Sequence, residues 1–295
     1  MKLKSILSIS LLLAVNTLSS QAFAETSVWK VSKGDNAFYL GGTIHLLSKD
    51  DHPLPKEFDD AYKKADRLIF EVDLKEADTP EAQQSITKKM SYSDGSTLPE
   101  ALTEETYKKL SDHFTARGLP VAAFSGFKPW GVSIVMTVLE YQNLGMQPDY
   151  GVDQHYYEKA IEDKKPVSGL ETFEEQLAFL ATMGDIEPNT LMEYTLLELT
   201  TLPTFIKSMK ANWRAGDIEA FTKDSATVEM REKFPDLYNA IVVKRNNNWM
   251  PHLLKLNDDA ATEFVLVGTM HLNDKEGLLQ QLEKAGHTVE QVDGI

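Results

Sequence analysis

Phe38-Tyr39-Leu40-Gly41-Gly42-Thr43-Ile44-His45-Leu46 and Phe264-Val265-Leu266-Val267-Gly268-Thr269-Met270-His271-Leu272 are two versions of one pattern. Each is an apolar, β-prone run that stops at Gly-Thr-x-His-Leu. The stretches on their carboxyl sides are also alike. After the first copy come Pro53 and Pro55, a helix-like stretch from Lys56 to Ala65, and the β-prone run Arg67-Leu68-Ile69-Phe70-Glu71-Val72. After the second come Asn273 and Asp274, a helix-like stretch from Lys275 to Ala285, Gly286, and a short strand candidate from His287 to Val292. Strand, Gly-Thr-x-His loop, helix and strand therefore occur twice, at the two ends of the chain.

Ligands of parallel α/β sheets bind in the crevice at the carboxyl ends of the strands. A histidine just past a strand's last apolar position is placed at that crevice, and the glycine before it allows a sharp backbone turn. Two copies on neighbouring strands would aim His45 and His271 at one point. The fold expected is a single discontinuous α/β domain over residues 25–295. In it the duplicated strand–Gly-Thr-x-His–helix–strand units form a central sheet, and helical insertions cover about 74–148 and 173–256.

The first 24 residues read as a secretory signal peptide. Lys2 and Lys4 precede an apolar core from Ile6 to Val15, and Ala22-Phe23-Ala24 is an Ala-x-Ala cleavage site. The apolar stretch falls short of the roughly 20 residues that a membrane span needs. Cleavage after Ala24 leaves 271 residues with 28 basic and 45 acidic side chains, a net charge of −17. That charge argues against nucleic acid or anionic membrane as a partner. The chain has no cysteine, so disulfide and thiolate chemistry are excluded. The expected location is the periplasm or the extracellular space.

Between the repeats, punctuation by Gly and Pro marks the elements. Ser27–Val31 and Ala37–Leu40 flank Ser32-Lys33-Gly34-Asp35-Asn36 and read as a hairpin with a Gly/Asn loop. Glu100 to Arg117 reads as one amphipathic helix, and Val132 to Leu144 as an apolar one. Gly151-Val152-Asp153 reads as a turn into a helix with Asp153 as its cap. Lys165 to Thr172 reads as a short strand that delivers Glu171, either to the crevice or to the first turn of the next helix. Glu71 stands at the end of a β-prone run. There it is a buried carboxylate in need of a partner, or a solvated one if the strand ends a residue earlier. Arg245 stands beside Asn246, Asn247 and Asn248 at an expected helix end, as a dipole-complementing charge or an anion-binding group. His52 reads as a solvated loop residue and His113 as a helix-surface residue; His155 reads as a helix-surface residue or, alternatively, as a residue facing the crevice.

Several chemistries leave no trace in the chain: there is no His-Glu-x-x-His, no Gly-x-Ser-x-Gly elbow and no phosphate-binding glycine loop. What remains is two imidazoles with carboxylates. That combination suits Zn, Mn, Co or Fe; such an ion acidifies bound water and polarises carbonyls.

Taken together, the paired Gly-Thr-x-His motifs, Phe70-Glu71-Val72-Asp73, Gly151-Val152-Asp153, Gly169-Leu170-Glu171-Thr172 and Arg245-Asn246 resemble the TraB/GumN family. That family is related to the Tiki metalloproteases and, more distantly, to erythromycin esterase and the haem-binding ChaN proteins. The resemblance implies an internally duplicated α/β fold with both motif histidines in the active site. Through the Tiki relatives it implies a divalent-metal peptidase that favours Mn or Co over Zn or Fe. Matched motif by motif, it carries His45, Glu71, Arg245 and His271 into the core of the site, with Asp153 and Glu171 beside them. His45, His271 and Glu71 become metal ligands, with Glu71 alternatively a base, and Arg245 a holder of a substrate carboxylate or an oxyanion. The expected function is an exported metal-dependent hydrolase acting on a peptide or small molecule. The alternatives are a non-catalytic periplasmic binder of haem or peptide, and a metal-free esterase-like hydrolase.

Overall fold

A computed structural model of the chain describes residues 26–293, apart from residues 78, 224 and 259; the expected signal peptide lies outside the described residues. β1 (Val28–Lys33) and β2 (Asn36–Thr43) form the expected hairpin, closed by a two-residue turn in which Gly34 takes φ +62°. β3 (Arg67–Phe70), β4 (Val167–Gly169), β5 (Glu263–Gly268) and β6 (Thr288–Gln291) complete a mixed sheet in the order β4-β3-β5-β2-β1-β6. The two motif strands are parallel neighbours, with Thr43 opposite Gly268. β3 joins β5 on its other edge and β4 joins β3, both in parallel. The carboxyl ends of β4, β3, β5 and β2 therefore lie side by side.

Side chains alternate between two apolar layers with the period of two that a strand imposes. Tyr39, Leu68, Phe70, Phe264 and Leu266 face one layer; Phe38, Leu40, Ile69, Val265 and Val267 face the other. Burial on both faces is why the strands read as unbroken apolar runs. The first layer is filled by the helices Lys56–Lys64, Val152–Glu162 and Pro188–Arg214, whose Phe58 and Tyr156 pack on Phe264 while Trp213 packs on Phe58. The second is covered by the helices Arg245–Leu253 and Leu278–Lys284. A third cluster, built from Leu98, Leu110, Phe114, Val132, Met136 and Met192, belongs to a helical lobe drawn from the stretches between β3 and β4 and between β4 and β5.

Four details differ from the sequence reading. The 100–117 stretch is two helices, because Thr103 caps a new one at Glu104–Thr115 by accepting from the Thr106 N–H. The helix expected to end at the asparagine run does not end there. A π-helical turn, Asn239–Lys244, passes directly into Arg245–Leu253, and Asn246 is fully buried. His52 is half-buried, with its Nε2 2.9 Å from the Tyr150 carbonyl oxygen. His113 is also largely covered, with 11 % of its side chain exposed.

Candidate functional site

The two motifs meet through their own residues. Thr269 Oγ1 donates to the Thr43 carbonyl oxygen at 2.9 Å, which ties the second copy to the first. Gly42 leaves room for that contact: a Cβ there would lie 2.7 Å from Leu272 Cδ1 and 3.0 Å from Thr269 Oγ1. Gly268 does the same for the site. A Cβ there would lie 3.2 Å from Glu71 Oε1, 3.7 Å from His271 Cδ2 and 3.9 Å from His45 Nε2. Each motif glycine thus vacates the space that the other copy or the site occupies. Further anchoring comes from Trp213, whose Nε1 donates to the Gly42 carbonyl oxygen at 2.7 Å.

His45 lies in the loop after β2, and its ring is 62 % exposed to the crevice. Its Nδ1 is 2.8 Å from Asp153 Oδ2. Asp153 does not cap its helix: Gly151 is the cap residue, and Asp153 in the first turn gives its carboxylate to the histidine. Gly151 makes this approach possible, because a Cβ there would lie 2.2 Å from the His45 carbonyl oxygen. Val152 N–H donates to the Ile44 carbonyl oxygen at 3.1 Å, which fixes the helix start against the motif loop. The Asp153 carboxylate raises the imidazole to about 9 against the opposing effect of burial, although water reaches the ring and screens part of the attraction.

β3 ends at Phe70, so Glu71 is the first residue past the strand, yet it is buried rather than solvated. Its Oε1 accepts from the Gly268 N–H at 2.7 Å, and its Oε2 accepts from Arg245 Nη2 at 2.5 Å and Gln176 Nε2 at 3.2 Å. Burial alone would raise its pKa, but Arg245, the two histidines and the Gly268 N–H outweigh it and hold the carboxyl well below the usual range. Glu171 stands at the end of β4, beside it. The following helix is capped by Thr172 with Glu175, which leaves Glu171 free of that duty. Its carboxylate takes Arg245 Nε at 2.9 Å, Arg245 Nη2 at 2.6 Å and Trp249 Nε1 at 3.1 Å. Burial pushes its pKa up. Gly169 allows β4 to close on β3 at this point, since a Cβ would lie 2.8 Å from the Asp73 nitrogen.

Arg245 is 8 % exposed and lies at the junction of the π-helical turn with the α-helix. Nε serves Glu171, Nη2 serves Glu71 and Glu171, and Nη1 serves His271 Nε2 at 3.2 Å and the Ile241 carbonyl oxygen at 3.3 Å. All five of its N–H bonds are therefore directed at protein acceptors. His271 sits in the 3-10 turn Thr269–His271 directly after β5. Its Nδ1 is 2.7 Å from Asn246 Oδ1, whose amide nitrogen donates to the carbonyl oxygens of His271 and Glu276. The asparagine orientation fixes the tautomer: Nδ1 carries the proton and Nε2 holds a lone pair. Burial, with Arg245 and His45 added, lowers this imidazole to about 3, so it is neutral.

Of the six residues singled out in the sequence, Glu71, Glu171, Arg245 and His271 form one bonded group, and the His45–Asp153 pair faces it across the same cavity. Gln176, Asn246 and Trp249 join them. Asn246 was visible only as Arg245's neighbour, and nothing local marked Gln176 or Trp249. His155 goes elsewhere, packing on His52 and Tyr156.

Both motif histidines present Nε2 while an oxygen holds Nδ1, the arrangement that orients imidazoles toward a metal. His271 Nε2 and Glu71 Oε1 are 3.7 Å apart, close to the roughly 3.4 Å between two tetrahedral ligands each about 2.1 Å from an ion. The donor chemistry of His45, His271 and Glu71 fits a divalent cation. Among the described residues no three His, Cys, Asp or Glu side chains stand together as a group that could hold a metal ion as they are placed, and the Arg245 N–H on His271 Nε2 is a contact that an ion would have to replace. The groups open onto a cavity of about 370 Å3, walled by Ile44, Phe205, Met209, Ile241 and Met270.

Among the described residues no helix is long and apolar enough to cross a membrane. The chain is similar to YbaP of Escherichia coli strain K12 and to YbaP of Shigella flexneri, both described as uncharacterized. Each is 28 % identical over 249 residues, which cover 84 % of this chain and 89 % of the relative. No solved structure matches it significantly. The TraB/PrgY/gumN family model matches residues 27–291, from the first strand to the last and through every residue of the site, and the chain belongs to that family.

Proposed function

We propose that the protein is an exported metal-dependent hydrolase acting on a peptide or a related small amide or ester. The observation that carries this reading is that His45 Nε2, Glu71 Oε1 and the edge of the His271 ring border the space beside Gly268, with His271 Nε2 3.7 Å from Glu71 Oε1 and with Asp153 and Asn246 on the two Nδ1 atoms. His45, His271 and Glu71 would hold the divalent ion, manganese or cobalt by likeness to the Tiki enzymes. Bound there, such an ion supplies an acidified water and a polarised carbonyl. The chain's own part is positioning. Asp153 and Asn246 fix the tautomers, and the Gly268 N–H and Arg245 keep Glu71 ionised. Arg245 spends its donors on Glu71, Glu171, His271 and Ile241, so its proposed role is to hold the carboxylates and not to grip an oxyanion itself.

A second reading is a metal-free hydrolase, favoured by the Arg245 N–H already seated on His271 Nε2. There the His45–Asp153 pair is the general base, with Nε2 open to a water in the crevice.

The test is metal analysis of the mature protein, purified without a His-tag or chelator, together with hydrolysis of a peptide library with and without chelator. One ion per chain, lost in the His45→Ala/His271→Ala variant together with activity, is expected. Activity that survives full chelation selects the metal-free reading. Absence of turnover with any added ion, on a folded protein, overturns both.

A further inference from the structure

The crevice does not end at the histidines. A second cavity of about 310 Å3 runs from it into the helical lobe. Tyr141, Phe205, Thr227, Ile241 and Met270 stand in the walls of both, so the two cavities adjoin, and the second begins where the first ends. Several of the polar groups along the second cavity are matched within the protein, while the Tyr141 hydroxyl, Thr227 and the Glu198 carboxylate also stand in its wall. Ser133 Oγ and Thr195 Oγ1 share a bond of 2.7 Å, and Thr195 Oγ1 also donates to the Leu191 carbonyl oxygen at 2.8 Å. Thr137 Oγ1 donates to the Ser133 carbonyl oxygen at 2.9 Å, and Tyr194 is hydrogen-bonded to Glu198.

Most of the remaining wall is aliphatic, aromatic and thioether: Leu191, Leu202 and Phe234 with Met183, Met230 and Met270. Such a wall rewards an entering group chiefly for the apolar area it removes from water. Methionines adapt their shape to a flexible guest. An apolar cavity of about 150 Å3 holds a benzene; twice that volume takes a chain of about ten carbons.

We propose that this cavity is an acyl-chain subsite: the substrate carries an unbranched aliphatic chain of medium length, seated in the helical lobe, with its carbonyl carbon presented at His45. The position of the carbonyl rests on the hydrolase reading above; the seating of the chain does not.

Titration calorimetry of the His45→Ala/His271→Ala variant with hexanamide and decanamide measures the subsite with hydrolysis switched off. Decanamide is expected to bind at least tenfold more tightly than hexanamide. Adding Thr137→Phe, which projects a ring into the cavity, should cut that ratio below threefold and leave hexanamide within twofold. Met230→Trp, from the Ser225–Lys233 helix, makes the same test should Thr137→Phe fail to fold. Equal affinity for the two amides, or a ratio untouched by a folded filling variant, overturns the subsite. Turnover of para-nitrophenyl decanoate by the wild type is measured in parallel. Chain-length-dependent binding without turnover of this or any peptide sinks the hydrolase and leaves the subsite standing; turnover with no chain-length dependence in binding does the reverse.

Discussion

Arg245 Nη2 lies 2.5 Å from Glu71 Oε2, and the same guanidinium closes on Glu171, so one buried cation serves the carboxylates at the ends of two adjacent strands. The ends of β3 and β4 would otherwise place two desolvated negative charges side by side. Removing one partner of a buried ion pair costs about 3–5 kcal/mol, because the other is left uncompensated. Arg245→Met is expected to destabilise the fold by that order, read as a lower urea midpoint. Arg245→Met combined with Glu71→Gln and Glu171→Gln should recover most of the loss but no activity. If the triple variant is as unstable as the single one, the carboxylates are not what Arg245 holds.

Asp153 governs the protonation of His45. Its carboxylate lifts the imidazole above the ordinary value, toward about 9. Asp153→Asn removes the charge and leaves an amide oxygen for Nδ1, so His45 should titrate nearer its ordinary value of about 6.5. NMR titration of the His45 Hε1 signal in the metal-free protein reads this directly. A base works deprotonated, so the acidic limb of the pH–rate curve should move to lower pH in the variant. The plateau should fall as well, because the weaker tether orients the ring less firmly. An unchanged His45 titration would mean that the 2.8 Å contact does not govern the ring.

Gly151→Ala tests the helix approach that brings Asp153 to His45. The added methyl would overlap the His45 carbonyl oxygen, at 2.2 Å. Forced repacking of this kind costs typically about 1–3 kcal/mol, and here it also pushes Asp153 away from His45. Gly126→Ala, where a Cβ meets nothing within 4 Å, is the control and should be close to neutral. Equal effects of the two substitutions would remove the steric argument.

The parts legible in the sequence were those in which local pattern and global fold agree. The Gly-Thr-x-His repeat announced β2 and β5 as equivalent strands, and the chain pairs them in parallel with their loops on one crevice. Glu71 and Glu171 stayed ambiguous because a carboxylate near a strand end or a helix start has a local use and a distant one. The deciding partner, Arg245, is 174 and 74 residues away. Asp153 read as a cap for the same reason, when the preceding glycine had taken that position. The asparagine run looked like a helix end because exposed asparagines break helices; Asn246 is instead buried, and its side chain serves His271. Gln176 and Trp249 carried no local signal, since each is an ordinary residue on its own helix.

Acid should destabilise the protein through histidines that are buried neutral. Burial lowers His271 to about 3, and burial with Arg117 lowers His113 to about 4, against the pull of the Glu140 carboxylate 3.4 Å from its Nε2. Unfolded, each titrates near 6.5, so between that value and the folded one the unfolded chain binds more protons. Their stabilising contribution is complete above about pH 6.5 and is lost as the pH falls toward 4. His45 works in the opposite sense: its raised folded value contributes stability that is complete below about 6.5 and is lost as the pH rises through about 9. The urea midpoint should therefore fall on both sides of neutrality. His113 is the safer probe because it lies outside the site, edge-on to Phe114. One pKa unit is worth about 1.4 kcal/mol, so its share of the acid loss by pH 4 is on the order of 1–3 kcal/mol. His113→Leu, which cannot charge, should flatten the acid limb by that amount and leave the alkaline limb in place. An acid limb of unchanged slope would assign the loss to other groups.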